Sequence, residues 1–68
     1  MYAWIRSSDR VINLVRCSDN RSIASIKCYM YPRHYECGMI GQFAYFDNLE
    51  SAQMHILKEY GIDRNEVI

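Results

Sequence analysis

The chain lacks the segments that would take it into or across a membrane. No apolar run approaches the roughly 18 residues that span a bilayer, and no basic stretch followed by an apolar one marks a signal peptide. The cysteines, Cys17, Cys28 and Cys37, are three and so cannot form a closed disulfide framework. We therefore expect a cytoplasmic protein with reduced thiols. Because the sequence begins at Met1, we expect it to be the whole gene product.

The motifs that carry catalysis are also missing. The sequence has no G-x-S-x-G, no phosphate-cradling glycine loop and no H-E-x-x-H. Its imidazole bases are His34 and His55, and neither lies in a motif that would bring a nucleophile to it. We expect no enzyme and no cofactor.

The size and composition favour one small domain over residues 1–68. Hydrophobic residues make up 50% and charged residues 24% of the chain, which argues against disorder. A core of this size is marginal, and small domains offset the deficit with disulfides, a metal or association with another chain.

The two halves of the chain carry opposite charge. Residues 1–35 hold six Arg and Lys against two Asp, a balance of +4. Residues 36–68 hold two Arg and Lys against six Asp and Glu, a balance of −4. The net charge of zero therefore hides a dipolar molecule, and such asymmetry steers association with partners.

The clearest predicted element is an amphipathic helix over about 48–60. Asp47 is the expected N-cap, with Glu50 completing a capping-box-like pair, and Gly61 is the expected left-handed C-cap. His55 falls on the wet face. The apolar face consists of Leu49, Ala52, Ile56, Leu57 and Tyr60.

The residues before this helix favour strands. Segments 2–6 and 11–17 are rich in β-prone residues, although a helix across 9–17 is the alternative for the second. Segment 24–30 alternates cleanly, which predicts one dry and one wet face. A turn centred on residues 32–33 then leads into a long return strand over 35–46.

The predicted fold is α+β, a small antiparallel meander of about three to five strands with one C-terminal amphipathic helix on one face. Gly38 and Gly41 indicate a bulge or bend in the return strand. The tail forms either a short edge strand through 67–68 or a helical turn started by Asp63. The expected core is Ile5, Ile12, Leu14, Ala24, Ile26, Cys28, Met30, Ile40, Phe43, Leu49, Ala52, Ile56, Leu57 and Tyr60.

Thiols and one imidazole provide the number of ligands that a closed zinc site needs. These candidates are Cys17, Cys28, His34 and Cys37. With residues 32–33 at the centre of the turn, Cys28 would lie opposite Cys37. Most of the spacings do not match zinc knuckles, and the simpler interpretation makes Cys28 and Cys37 small buried hydrophobic residues. We expect no metal and keep a zinc-stabilised adaptor as the third hypothesis.

Basic and aromatic residues are interleaved in the first half. Tyr, Trp and Arg are enriched at interface hot spots, because they bury a large area and keep a polar handle. Lys27, Tyr29 and Tyr31 are expected on the outward side of one strand. The predicted partner-binding surface consists of Arg6, Arg16, Lys27, Tyr29, Tyr31, Arg33 and Tyr35.

These residues favour a non-enzymatic protein-binding module whose partner carries an acidic patch. We expect a small inhibitor or modulator that occupies a surface of a larger complex, as phage and mobile-element products such as anti-CRISPR proteins do. The alternative is a nucleic-acid-binding accessory protein that uses the same basic, Tyr-rich face. A homodimer through the sheet is also considered, because Val11 and Val15 compete with Ile12 and Leu14 for the core face.

Overall fold

Five strands, one helix and a short 3-10 turn make up residues 1–39 and 42–68, which the computed structural model describes. The strands are β1 (Tyr2–Ser8), β2 (Val11–Arg16), β3 (Arg21–Met30), β4 (Arg33–Met39) and β5 (Gln42–Phe46). The helix is α1 (Leu49–Tyr60), and the 3-10 turn is Arg64–Glu66.

The strands form one antiparallel sheet in the order β1-β2-β3-β4-β5. Each strand pairs with its neighbour in sequence, so the sheet is a meander, and α1 packs against β3, β4 and β5. The predicted α+β fold with one C-terminal helix is therefore confirmed. We call the sheet face turned away from α1 the open face.

The core lies between the sheet and α1. Most predicted core residues on the strands and the helix are confirmed. The fully buried cysteine, however, is Cys37, whereas the predicted core contained Cys28. The buried cluster consists of Leu14, Ala24, Ile26, Cys37, Ala52, Ile56 and Leu57. Ile12 is also buried, whereas Cys28 and Leu49 are half-buried and pack against the cluster. Ile40 and the side chain of Phe43 lie outside the described residues.

Three predicted core residues are wrong. Ile5 is 48% exposed, because it pairs with Asn13 on the open face. Met30 is 62% exposed at the end of β3. The ring of Tyr60 is 41% exposed, and its hydroxyl donates to the carbonyl of Ile23 at 2.9 Å, so this side chain ties the end of α1 to the sheet from the outside.

The two valines of β2 occupy the open face, opposite Ile12 and Leu14. Val15 pairs with Ala3 and Ser22 there and is 9% exposed in a single chain. Its apolar character is therefore explained by neighbouring strands. It does not require a second copy of the protein.

The ends of α1 follow from local hydrogen bonds. The N-cap is Asn48, whose Oδ1 accepts the backbone N–H of Ser51 at 2.8 Å, so the prediction of Asp47 is off by one residue. Gly61 adopts the left-handed conformation with φ of 66°, and the N–H of Ile62 donates to Leu57 at 2.8 Å. The predicted left-handed C-cap at Gly61 is therefore confirmed, and these bonds make it a Schellman motif.

The return strand predicted over 35–46 is two strands, since β4 and β5 pair antiparallel from Tyr35↔Phe46 to Met39↔Gln42. Gly38 is not at a bulge: it pairs regularly with Ser25 and Phe43. Gly41 lies outside the described residues.

Of the two alternatives for the tail, the helical turn is present, and in place of the edge strand there is one isolated bridge. Asp63 caps the 3-10 turn in a capping box with Glu66, and Val67 then forms a parallel bridge with Tyr2.

Candidate binding site at the tip of the sheet

The β3–β4 hairpin extends beyond the rest of the sheet. Pairing between β2 and β3 ends at Val11↔Lys27, followed by one bond from the N–H of Cys28 to the carbonyl of Arg10 at 2.7 Å. Pairing between β3 and β4 continues to Met30↔Arg33. We call the projecting residues 29–34 the hairpin tip.

The turn of this hairpin consists of Tyr31 and Pro32, with a cis peptide bond between them. The predicted turn at residues 32–33 is therefore wrong by one residue, and the register of β3 on β4 shifts by two. Cys28 lies opposite Tyr35, and Cys37 lies opposite Ile26. In the observed register, the ring of Tyr29 lies opposite the imidazole of His34, and the two are in direct contact.

Large apolar side chains cover the hairpin tip without being buried. Tyr31 is 94% exposed and Met30 is 62% exposed. Tyr45 of β5, which flanks the tip on the open face, is 64% exposed. Single exposed apolar residues are ordinary, but a group of them at one end of a small domain is typical of an interaction site.

Three rings hold the open-face side of the tip in place. The rings of Tyr29 and His34, a cross-strand pair, are stacked with centroids 4.5 Å apart and planes 3° from parallel. The ring of Tyr45 packs on His34 at 5.8 Å, tilted by 51°. His34 Nδ1 lies 2.7 Å from the carbonyl oxygen of Pro32, which can only accept, so the ring nitrogen donates. The tip is therefore preorganised by its own side chains.

A cleft of about 200 Å³ lies where β2 has ended beside the tip. It is lined by Arg10, Cys28, Tyr29, Met30 and Tyr31. In the described part of the chain, no hydrogen bond or ion pair engages the Arg10 guanidinium. A cation that pairs with none of the described residues therefore borders an apolar cleft.

The predicted partner-binding residues divide between two faces. Lys27 and Tyr29 share the open face, as predicted for that strand, but Tyr31 lies in the turn. Tyr35 is two residues from the buried Cys37 on β4, so it lies on the same face and packs against the core cluster. Arg6 pairs with Ile12, so it lies on the α1 side together with Arg33 and Tyr35. These residues lie towards the same end of the sheet but are divided between its two faces.

Arg16 lies at the opposite end of the sheet and does not join this group. Its guanidinium binds the Asp19 carboxylate through two hydrogen bonds of 3.1 and 2.7 Å. The bonds with Arg16, assisted by the backbone N–H of Arg21, lower the pKa of Asp19 to about 2, and the pKa of Arg16 is raised by the same pairing. Arg16 therefore stabilises the β2–β3 turn, apart from the other predicted contact residues, and its part in partner binding stays a prediction.

The four candidate zinc ligands are not brought together. Cys17 is exposed near the β2–β3 turn, Cys37 is buried under α1, and His34 is on the open face. Residues 1–39 and 42–68 contain no group of three or more His, Cys, Asp or Glu that could hold a metal ion. Burial raises the pKa of the Cys37 thiol to about 11, and its Sγ donates to the Ala52 carbonyl at 3.5 Å.

Sequence reasoning missed Arg10, Met30, His34 and Tyr45 as parts of this surface. The sequence places Met30 in the predicted core, and the predicted partner-binding surface does not include the other three residues. The signal that could have found them is the register of β3 on β4. It depends on whether the turn is placed at residues 31–32 or 32–33.

A second cleft, of about 220 Å³, lies between β1, α1 and the tail. Trp4, Met54, Leu57 and Val67 form its apolar walls, and its rim is polar. The rim residues are Glu50, Gln53 and Arg64. Because carboxylate and guanidinium groups both occur on this rim, it has no preference for a partner of one charge.

No described helix is long and apolar enough to cross a bilayer. In comparisons with known proteins, no protein-family model, no curated protein and no solved structure matched the chain. Its function therefore has to be argued from the hairpin tip itself.

Proposed function

We propose that this chain is a non-enzymatic protein-binding module, and that it acts by placing its hairpin tip on an acidic patch of a larger complex. The observation that carries the proposal is the concentration of exposed Tyr31 and Met30 on a projecting hairpin next to cationic side chains. Aromatic and Met side chains and Arg are the types that dominate interface energetics. On this proposal the protein masks the surface that it occupies and so inhibits or modulates the complex.

The stacking at the tip supports this function through preorganisation. A loop that is ordered before binding loses less conformational entropy when it docks. Tyr29 and His34 are already stacked, and His34 is bonded to the turn through Pro32. The tip therefore needs little reordering to present Tyr31.

Nucleic acid is the second candidate, because the Tyr29–His34 stack next to Lys27 offers ring faces to a base. The charges on this face do not favour it. Glu36 lies directly opposite Lys27 in the register of β3 on β4, so the cation next to the rings is matched by a carboxylate. A phosphate backbone would gain little there, and a protein surface is the better partner.

We place the protein in the cytoplasm, where its three free cysteines would stay reduced. A phage or mobile-element inhibitor, for example one of the anti-CRISPR type, is the form of this function that we expect. The partner captured in the next experiment tests that expectation.

The experiment is an affinity capture from a nuclease-treated lysate of the source organism, comparing wild type with Tyr31→Ala/Arg33→Ala. We expect wild type to retain one protein complex and the double variant to lose it, because the variant removes the most exposed ring and an adjacent cation. Met54→Ala/Lys58→Ala, which removes an exposed apolar residue and a cation on α1, is the matched control and should bind as wild type does.

Salt separates the two candidates. A phosphate-dependent complex weakens steeply as ionic strength rises, with a slope set by the number of phosphates neutralised. A tip-mediated protein complex should change much less between low and moderate salt. Capture that survives Tyr31→Ala/Arg33→Ala would contradict the proposal, and so would capture that succeeds from an untreated lysate and fails from the nuclease-treated one.

A further inference from the structure

We infer that the partner supplies an extended acidic segment, which adds as a strand to the edge of β3 that β2 leaves uncovered. This inference rests on the proposed function and names the partner's conformation and chemistry at the same site. The occupant would lie beyond the β1–β2 turn, in line with β2, against Cys28, Tyr29 and Met30.

The direction of the backbone groups carries the first step. The N–H of Cys28 points towards β2, since it donates to the Arg10 carbonyl at 2.7 Å. In a strand, alternate residues direct their N–H groups to the same side. The N–H of Met30 therefore points to the same side as that of Cys28. There β2 has already ended at Val11, so an added strand would find a donor in the position where a ladder would continue.

The cleft provides room for that strand. Its volume of about 200 Å³, with Tyr29, Met30 and Tyr31 among its walls, matches an apolar side chain or two of an incoming segment. Because successive side chains of a strand point to opposite faces, the segment would place one apolar residue in the cleft and direct the residues next to it in sequence away from the cleft.

The charge of the occupant follows from Arg10. Its guanidinium lines the cleft and is engaged by no acceptor in the described part of the chain. A carboxylate is the group that a guanidinium binds best, through two parallel hydrogen bonds. Since the cleft that takes the apolar side chain is also lined by Arg10, the incoming segment carries Asp or Glu two positions from its apolar residue, where both side chains point to the same side of the strand.

The test selects binders from a displayed library of short random peptides on the immobilised full-length protein. We expect enrichment of peptides in which an acidic and an apolar residue stand two positions apart, on the same side of an extended chain. On adding such a peptide, hydrogen exchange of the Met30 amide should slow about tenfold or more, since a new backbone bond protects it. Arg10→Ala should weaken binding about tenfold or more, whereas Arg21→Ala, an exposed arginine at the far end of β3, should leave it unchanged.

A backbone variant isolates strand addition from side-chain contact. The chain is short enough for chemical synthesis, and N-methylation of Met30 removes its N–H while keeping the side chain. We expect this variant to bind the selected peptide about tenfold more weakly, with an unchanged circular dichroism spectrum. Met30→Ala removes a wall of the cleft but keeps the N–H, so it should weaken binding and yet still show protection of the amide at saturating peptide.

The outcomes distinguish this inference from the proposed function. If selected peptides or the captured partner need Tyr31 but do not protect the Met30 amide, the tip binds protein and strand addition is overturned. If no peptide is enriched while the captured complex still depends on the tip, strand addition is overturned as well. If enriched peptides carry no acidic residues, the assigned chemistry is wrong. Loss of both capture and peptide binding removes the proposed function together with this inference.

Discussion

The body of the molecule and its hairpin tip use the same residue types for different purposes. In the body, Tyr60 donates to Ile23 and Arg16 is bonded to Asp19, so a tyrosine and an arginine each serve the fold. At the tip, Tyr31 is almost fully exposed and Arg10 lines an open cleft. The Arg16 guanidinium has an internal partner, whereas the Arg10 guanidinium beside the tip has none among the described residues, and this difference marks the tip and its cleft as a surface for a partner.

This difference has a basis in packing. The body has two layers, and Leu14 and Ile26 are completely buried in the cluster that strand and helix residues form together. The tip is a single two-stranded ribbon, because β2 and α1 do not follow it to its end. A ribbon of two strands gains little stability from burial and depends on cross-strand pairs such as Tyr29 and His34. Its exposed side chains are therefore free to change without cost to the fold.

Two side-chain truncations test whether the body and the tip differ in their contribution to stability. Leu14→Ala removes a fully buried side chain from the body and should lower the free energy of unfolding by about 2–5 kcal/mol. Tyr31→Ala should change it by less than about 0.5 kcal/mol. Denaturant unfolding followed by circular dichroism gives both values. A large loss of stability in Tyr31→Ala would mean that the tip belongs to the core.

Thiol reactivity maps the boundary between body and tip. Burial raises the pKa of Cys37 to about 11 from an ordinary value of 9.0, which leaves about 100-fold less of the reactive thiolate than an ordinary thiol has. Cys28 is half-buried and lines the tip cleft. In a Cys17→Ser background, we expect the Cys28 thiol to react readily with a disulfide reagent and the Cys37 thiol to react only after unfolding.

The assignment of these two phases has its own control. Cys17→Ser/Cys28→Ser retains Cys37 alone and should show the slow phase only. Fast labelling of that double variant in the folded state would place Cys37 outside the core.

The fold could be predicted from the sequence where one physical signal dominates. The period of α1 and the glycine at its end define the helix, because Gly61 has the left-handed backbone that other residues adopt at a cost. The clean alternation of residues 24–30 likewise identifies the face of β3 that carries Ala24 and Ile26. Those signals are local, and the structure confirms them.

The candidate site could be predicted only in part, because it depends on a register. Placing the turn at residues 32–33 instead of 31–32 shifts every pair of β3 on β4. The wrong choice put Cys28 opposite Cys37 and left His34 without Tyr29. Nor does the sequence reveal how far β3 extends beyond β2, which is what exposes Met30 and creates the cleft beside Arg10.

The smallest expected effect tests whether the Arg16–Asp19 pair belongs to the body. The pKa of Asp19 is lowered to about 2 from an ordinary 3.8, so the folded state prefers the ionised carboxylate. The resulting stabilisation is present above about pH 4 and is lost as the pH falls through about 2. Asp19→Asn keeps an oxygen for the N–H of Arg21 while removing the charge. It should melt slightly below wild type at pH 6, and the two melting temperatures should converge as the pH approaches 2. Because the pair is exposed, the gap at pH 6 is small and shrinks with added salt. A gap that persists at pH 2 would show that the charge of Asp19 is not what stabilises the turn.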